Sequence, residues 1–422
     1  MKVFIHKIVF VLFFILLFLI VLFSLFFEKE SLLPNEEKDF FTKSKEDFIN
    51  NSKINLNDNS EFLAKKLSNP PEIIKAIYLT GWSAGSISYM PYLKNLLKST
   101  EINAVVIDIK DYSGLVSYSS EVEEVKKYKL KNWAIFDINS LINFLHSQNV
   151  YVIGRISVFQ DLAYSKIKPE LAVYDKQQTK NILEPVLWKD YKNLFWLDPA
   201  SKEIWDYNIS LATEAFLLGF DEINFDYVRF PSDGNLKNMG FPFWDEKVSM
   251  QSVIRNFFQY VRTELYGEKI SVDLFGLTTV ESNDLGIGQK IEDSFEFFDY
   301  VCPMVYPSHY APGFIGFQNP AEYPYQVVKY SLDKALEKKQ NLQQSFEISY
   351  AQNNELFKVN QISSVNFAKI RPWLQDFDLG AEYTPKMIGD QIKAVKDSLK
   401  DEFNGFILWS PSNIYTLDAI KK

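Results

Sequence analysis

The stretch FDEINFDYVRFPSDG, residues 220–234, places Asp221, Glu222, Asp226 and an arginine in what otherwise reads as a buried β-strand. Ile223, Phe225 and Tyr227 alternate with Asn224, Asp226 and Val228, the period of a strand with two distinct faces. Ionised carboxylates are costly to bury unless they are paired or used. Asp221 and Glu222 fall at the start of this strand, right after a helical segment, and read as structural. Asp226, near its C-terminal end, is the residue of the three expected to do chemistry.

The same pattern recurs on both sides. KAIYLTGW (75–82), INAVVIDIKD (102–111) and VYVIGRISVF (150–159) read as three earlier strands. ISVDLFGL (270–277), FDYVCPMVY (298–306), IRPWLQDF (370–377) and GFILWSP (405–411) read as four later ones. Helical patterns lie between them: Leu93–Leu97, then Ile138, Leu141, Ile142 and Leu145 behind an Asp137 N-cap. Further helices are expected from Asp198-Pro199 to Gly219, through Val253, Phe257 and Val261, and from Thr384-Pro385. Eight strand-then-helix units predict an α/β fold of the (β/α)₈ TIM-barrel type over residues 72–422. An open doubly wound sheet is the runner-up, weakened by the absence of a glycine-rich phosphate loop after any early strand.

The segments before residue 72 have another character. Ile8–Phe27 is a run of twenty residues interrupted only by Ser24, enough to cross a hydrocarbon layer of ~30 Å. Lys2, His6 and Lys7 precede it and Glu28 and Glu30 follow. Residues 1–28 therefore read as a single-pass N-terminal anchor, with the barrel on the extracytoplasmic side of the cell membrane. Secretion after signal-peptide cleavage is the alternative, disfavoured because the run ends in Leu25-Phe26-Phe27 rather than small residues. Residues 29–71, rich in Lys, Glu, Asn and Ser, read as a polar stalk.

Composition narrows the function classes. The single cysteine, Cys302, excludes an intramolecular disulfide, and with three histidines an ordinary zinc site is not expected; no metal or cofactor is assigned. A net charge of −9 argues against nucleic acid as a partner. In a barrel the active site forms at the C-terminal ends of the strands and in the loops that follow. Asp108, Asp226 and Asp273 occupy such positions on the second, fourth and fifth strands, and can converge over one side of the mouth. Paired carboxylates with proton affinities pushed apart are what glycosidic bond cleavage needs. Asp226 is expected as nucleophile or base, Asp273 as the acid, and Asp108 as a residue that orients sugar or modulates Asp273. Arg155 and Arg229 are the cations that could hold them or a substrate. Tyr306, His309, Trp82, Trp373 and Trp409 are expected to contact substrate. Seven of the eight tryptophans fall on strands or on the loops that follow them, chiefly 112–136 and 160–197, with Trp205 on a helix. That bias points to an aromatic-lined cleft.

AVVIDIKDYSG, WLDPASKEIWDY, GFDEINFDYVRFPSDG, CPMVYPSHY and IRPWLQDF together resemble, in order, a bacterial family of (β/α)₈ barrels described as glycoside hydrolases. A more distant resemblance runs to chitinase-type glycoside hydrolases, whose fourth strand reads D-G-x-D-x-D-x-E. Asp221 and Asp226 match its first and third aspartates, Met304-Val305-Tyr306 matches the sixth-strand M-x-Y, and Trp409 the eighth-strand tryptophan. Asn224 replaces the middle aspartate, and Val228 stands where the glutamate proton donor belongs. The resemblance implies cleavage of a polysaccharide or oligosaccharide. Val228 keeps open a non-catalytic carbohydrate-binding barrel. A polysaccharide deacetylase or esterase would need a metal triad or a Ser-His pair, and neither is found.

Overall fold

The computed structural model describes residues 64–181, 184–357 and 367–422. The strands are β1 (Ile74–Leu79), β2 (Ala104–Lys110), β3 (Tyr151–Ser157), β4 (Glu222–Asp226), β5 (Ile270–Phe275) and β6 (Tyr300–Met304). β7 is split into Lys369–Ile370 and Trp373–Gln375, and β8 is Gly405–Trp409. Each pairs in parallel with its neighbour, and β6–β7, β7–β8 and β8–β1 pairings close the ring. The result is an eight-stranded parallel barrel, as the alternating pattern predicts.

Helices α1 (Met90–Ser99), α2 (Ile138–Ser147), α3 (Lys202–Leu217) and α4 (Met250–Glu264) follow the first four strands. α5 (Pro324–Phe357) follows β6 and α6 (Pro385–Leu399) follows β7. After β5 come a 3₁₀ turn (Gly276–Thr279) and the four-residue helix Ile291–Ser294. Two predicted caps are present: Asp137 accepts a hydrogen bond from Ser140 N, and Thr384 accepts one from Met387 N with Pro385 in the first turn. A third prediction needs correction. α3 starts at Lys202, not at Asp198-Pro199, because the Asp198 carboxylate is spent on Ala200 N, Phe243 N and Trp244 N. It pins the loop after β4 instead of capping a helix.

The strand ends also fall short of the predicted ones, since polar caps take over. β1 stops at Leu79, where Thr80 caps a short helical turn (Gly81–Ala84) that carries Trp82. Apolar residues divide into two sets. The larger lies between the barrel wall and the helices and includes Ile77, Ile107, Ile223, Phe225, Val228 and Phe230. The smaller fills the barrel interior and includes Ala76, Tyr78, Val106, Ile153, Cys302, Tyr306, Trp373 and Ile407. This is the strand alternation written in three dimensions.

The apolar run Ile8–Phe27 and the stalk up to residue 63 lie outside the described residues. Among those described, no helix is long and apolar enough to cross a membrane. The last residues assigned to the stalk do not hang free. Ala64 is buried, Leu67 N donates to Asp221 Oδ1 at 2.6 Å, and Lys66 pairs with Glu268. Residues 64–71 lie against the lower end of the barrel.

Candidate active site

Alternation along the strands puts Asp108, Arg155, Asp226 and Asp273 on the inner face of the wall, near its C-terminal rim. Register brings Asp108 opposite Arg155 across β2–β3. Arg155 is the centre of the group. Its Nη1 donates to Asp108 Oδ1 at 2.5 Å, its Nη2 donates to Asp226 Oδ2, and its Nε lies 3.6 Å from Asp273 Oδ2. One guanidinium thus faces three carboxylates. Burial works against its charge, but the three carboxylates outweigh burial and hold its proton more tightly than usual.

The three aspartates differ in their remaining partners. Asp108 accepts a further bond from the Tyr78 hydroxyl. Burial raises its pKa, against the pull of Arg155 and Tyr78. Asp226 accepts from Tyr227 N at 2.5 Å through Oδ1. Asp273 is fully buried, and both its conventional bonds fall on Oδ1: Asn224 Nδ2 at 2.8 Å and Trp373 Nε1 at 2.7 Å. Its Oδ2 is buried without a hydrogen-bond partner. Burial first and the charge of Asp226 second push its pKa up to about 8, opposed by Arg155, Asn224 and Trp373. A protonated carboxyl with one pinned oxygen and one unpartnered oxygen is the form these surroundings favour.

The end of β4 explains the missing glutamate. Tyr227 has φ +53°, a left-handed conformation uncommon for a bulky residue. That turn breaks the alternation set by Asn224 and Asp226. Val228, which would otherwise face the mouth, packs with Phe225 and Phe230 in the outer core. Position 228 is therefore not a place from which a side chain could donate a proton to a ligand over Asp226. Asn224, in the place of the chitinase-type middle aspartate, is the donor that fixes Asp273.

Other candidates sort by position. Tyr306 is buried above the cluster, and burial together with the charges of Asp273 and Asp226 raises its hydroxyl pKa. Its ring lies 5.1 Å from His309, 6.0 Å from Phe377 and 5.4 Å from half-buried Trp409. Burial and the nearby charge of Lys192 lower the pKa of His309, favouring the neutral imidazole. Phe377, which belongs to this group, was not singled out in the sequence; its place two residues past the end of β7 is the signal that could have found it. Trp82 is exposed on the rim beside β1.

Two residues expected to contact substrate are placed elsewhere. Trp373 is buried in the barrel interior, where its indole N–H is used on Asp273, so it positions a carboxylate and offers no face to a sugar. Arg229 makes no ion pair with Asp226. Its guanidinium lies 4.6 Å from the rings of both Trp196 and Phe275, and Nη1 donates to the Phe230 carbonyl at 3.0 Å. It is buried as packing. Lys110, at the end of β2, forms a fully buried pair with Asp161 at 2.8 Å that ties the loop after β3 to β2. Trp188 and Trp196, counted toward an aromatic cleft, are buried and donate to Asn235 O and Asp190. An open cavity of about 900 Å³, lined by residues such as Lys166, Gln177, Trp188 and Asn235, lies between the loops after β3 and β4 and shares no residue with the Arg155 cluster. Among the described residues, no group of three or more His, Cys, Asp or Glu is arranged to hold a metal ion.

Residues 76–415 match the model of the family DUF4015, described as "Putative glycosyl hydrolase domain". The chain belongs to that family. Among solved structures it is similar to a hypothetical protein from Ruminiclostridium thermocellum, at 38% identity over 47% of this chain and 96% of that one, with a TM-score of 0.42. It is also similar to the glycoside hydrolase domain of PgaB (BpsB) from Bordetella bronchiseptica, at 12% identity over 83% of this chain and 99% of that one, TM-score 0.51. A third similarity is to TtGalA, an α-galactosidase from Thermus thermophilus, at 11% identity over 85% and 62% of the two chains, TM-score 0.46. No curated protein matches the chain significantly. The likeness to the PgaB domain establishes a shared fold; the family carries the enzyme class.

Proposed function

We propose that this barrel is a glycoside hydrolase that cleaves glycosidic bonds of an extracytoplasmic polysaccharide with Asp226 and Asp273. The observation that carries this reading is Arg155 set between the two, with Asp226 bonded to it and Asp273 pushed up to about 8. Asp226, whose side chain keeps an exposed edge, is the nucleophile or base. Asp273 is the acid, its proton on the unpartnered Oδ2.

The two are linked by charge. Part of what raises the Asp273 pKa is the negative charge of Asp226. When Asp226 gives up that charge by bonding to the sugar or by taking a proton from water, Asp273 becomes a stronger acid. This happens as the leaving oxygen needs a proton. Because Asp273 Oδ2 lies beneath the cleft surface, transfer runs directly to a sugar seated over Asp226 or through one bridging hydroxyl or water. Asp108 braces Arg155 against Tyr78. Membership of a glycosyl hydrolase family supports the reaction class.

Incubation of the full chain with a panel of defined polysaccharides, followed by assay of new reducing ends, tests the reading. Release by the native chain and its loss in Asp226→Asn are expected. A second reading, a non-catalytic carbohydrate-binding barrel, is favoured by the complete burial of Asp273, and it would give binding without reducing ends.

The apolar run Ile8–Phe27 and its flanking charges support a membrane-anchored chain with the barrel outside. On cell fractionation the full-length chain should stay with membranes through salt washing. A soluble form starting near residue 28 would mean cleavage and secretion.

A further inference from the structure

Three tryptophans are carried by three consecutive units of the barrel: Trp409 at the end of β8, Trp82 in the turn after β1 and Trp133 in the loop after β2. Trp409 closes β8 and is half-buried against Tyr306 and Phe377. Trp82 lies three residues past β1 and is 61% exposed; Trp133, in the loop after β2, is 48% exposed. The loops that carry them touch. Thr80 N donates to Asn413 Oδ1 at 2.9 Å, joining the β1 turn to the β8 loop. A side chain at Gly85 would run into the backbone of Ala134, so the β1 turn rests directly on the residues beside Trp133.

The β1 turn also packs on Ser117 and on the backbone near the end of β2, the strand that carries Asp108. A Cβ on Gly81, the neighbour of Trp82, would lie 3.1 Å from the carbonyl oxygen of Asp108. Large aromatic rings left exposed on adjoining loops at the rim mark a contact surface rather than leftover core. Trp133 adds an independent sign: it is held at φ +57°, a left-handed conformation unfavourable for a bulky residue. Lys131 Nζ stands 3.7 Å from its ring centroid, bracing the indole without enclosing it.

We propose that Trp409, Trp82 and Trp133 form a track on which a sugar chain lies lengthwise, leading away from Asp226 along the β8–β1–β2 rim. The occupant is the substrate polysaccharide itself, recognised by stacking of the C–H faces of successive sugar rings on the indoles. The inference rests on the glycoside hydrolase reading of the same mouth. It adds where the chain lies and that units well beyond the two at the scissile bond are held, on the β8–β1–β2 rim.

The test uses the full chain carrying Asp226→Asn, in detergent, with fluorescently tagged dimers and hexamers of three linear backbones. These are β-1,4-glucan, α-1,4-glucan and β-1,4-linked N-acetylglucosamine. For at least one backbone the hexamer should bind about tenfold or more tightly than the dimer, and Trp82→Ala with Trp133→Ala should bring the hexamer to within about twofold of the dimer. Both side chains are exposed, so the double variant should melt at an unchanged temperature. Absence of a length gain on every backbone, or its survival in the double variant, would overturn the track. Reducing-end release from the same hexamers by the Asp226-containing chain is read separately. A length gain without release would leave the track standing and remove the hydrolase reading.

Discussion

The barrel interior holds an arginine at each end, and the two are treated differently. At the lower end Arg371 meets a single carboxylate, Glu222, through both its terminal nitrogens, with both side chains fully buried. Tyr151 adds a bond to Glu222 at 3.3 Å. One charge is matched to one. At the upper end Arg155 serves three aspartates, the side chains other than Asp273 retain small exposed edges, and one carboxylate oxygen, Asp273 Oδ2, has no hydrogen bond, only the approach of Arg155 Nε at 3.6 Å. The matched pair is a fixed strut. The mismatched group favours keeping Asp273 protonated well above the usual carboxylate range, a condition an acid–base site can use.

Substitutions at the two ends should therefore fail in opposite ways. The largest effect is expected from Asp226→Asn, which should lower glycan turnover by about 10²–10⁴-fold while leaving the melting temperature unchanged or raised, since it relieves charge crowding. At the other end, Glu222→Ala strands Arg371 and should cost about 3–5 kcal/mol of stability in chemical denaturation. The folded fraction should turn over at the native rate. Replacing both partners by apolar residues of similar volume should recover much of that stability. A loss of turnover without loss of stability in Glu222→Ala would erase the contrast.

The upper cluster should also leave its mark on pH. Asp273, held near 8 in the folded chain, keeps a proton that the unfolded chain releases near pH 4. The folded state thus binds more protons between about pH 4 and about pH 8, and stability falls as pH rises through that window. Asp273→Asn should flatten this slope, lower turnover by about 10²-fold, and abolish the alkaline fall of activity near pH 8. The smallest effect belongs to Trp373→Phe. It removes an N–H that lowers the Asp273 pKa, so the alkaline limb should move to higher pH, as read from a turnover profile. Movement to lower pH would mean that Trp373 favours the protonated form.

Period and spacing carried most of the fold. Eight apolar runs of strand length, separated by helical patterns, lead to the closed ring, and Thr384 and Asp137 are visible as caps. Asp198 misled because an aspartate before Pro199 has the form of a cap, and only the distant Phe243 and Trp244 amides reveal its use. The convergence of Asp108, Asp226 and Asp273 was legible, since strand-end position fixes the face. The sequence leaves the choice between Arg155 and Arg229 open. Arg155 lies within the third strand and Arg229 just past the fourth, yet only Arg155 faces the interior, while Arg229 follows the left-handed Tyr227 out of the strand. Trp373 could not be told from an exposed platform, because its burial and the use of its indole N–H on Asp273 depend on tertiary packing. The same left-handed residue hides Val228, so a mismatch read as a lost acid is a change of backbone direction.

The account turns on the protonation of Asp273 under the influence of Asp226. Difference infrared spectroscopy of the full chain across a pH titration, with Asp273→Asn as the subtraction partner, reads its carboxylic acid carbonyl stretch directly. The account predicts a band that persists through neutrality and disappears near pH 8, and that disappears at lower pH in an Asp226→Asn background. A band already lost by about pH 5 in the native chain, in the ordinary range for an exposed aspartate, would contradict it.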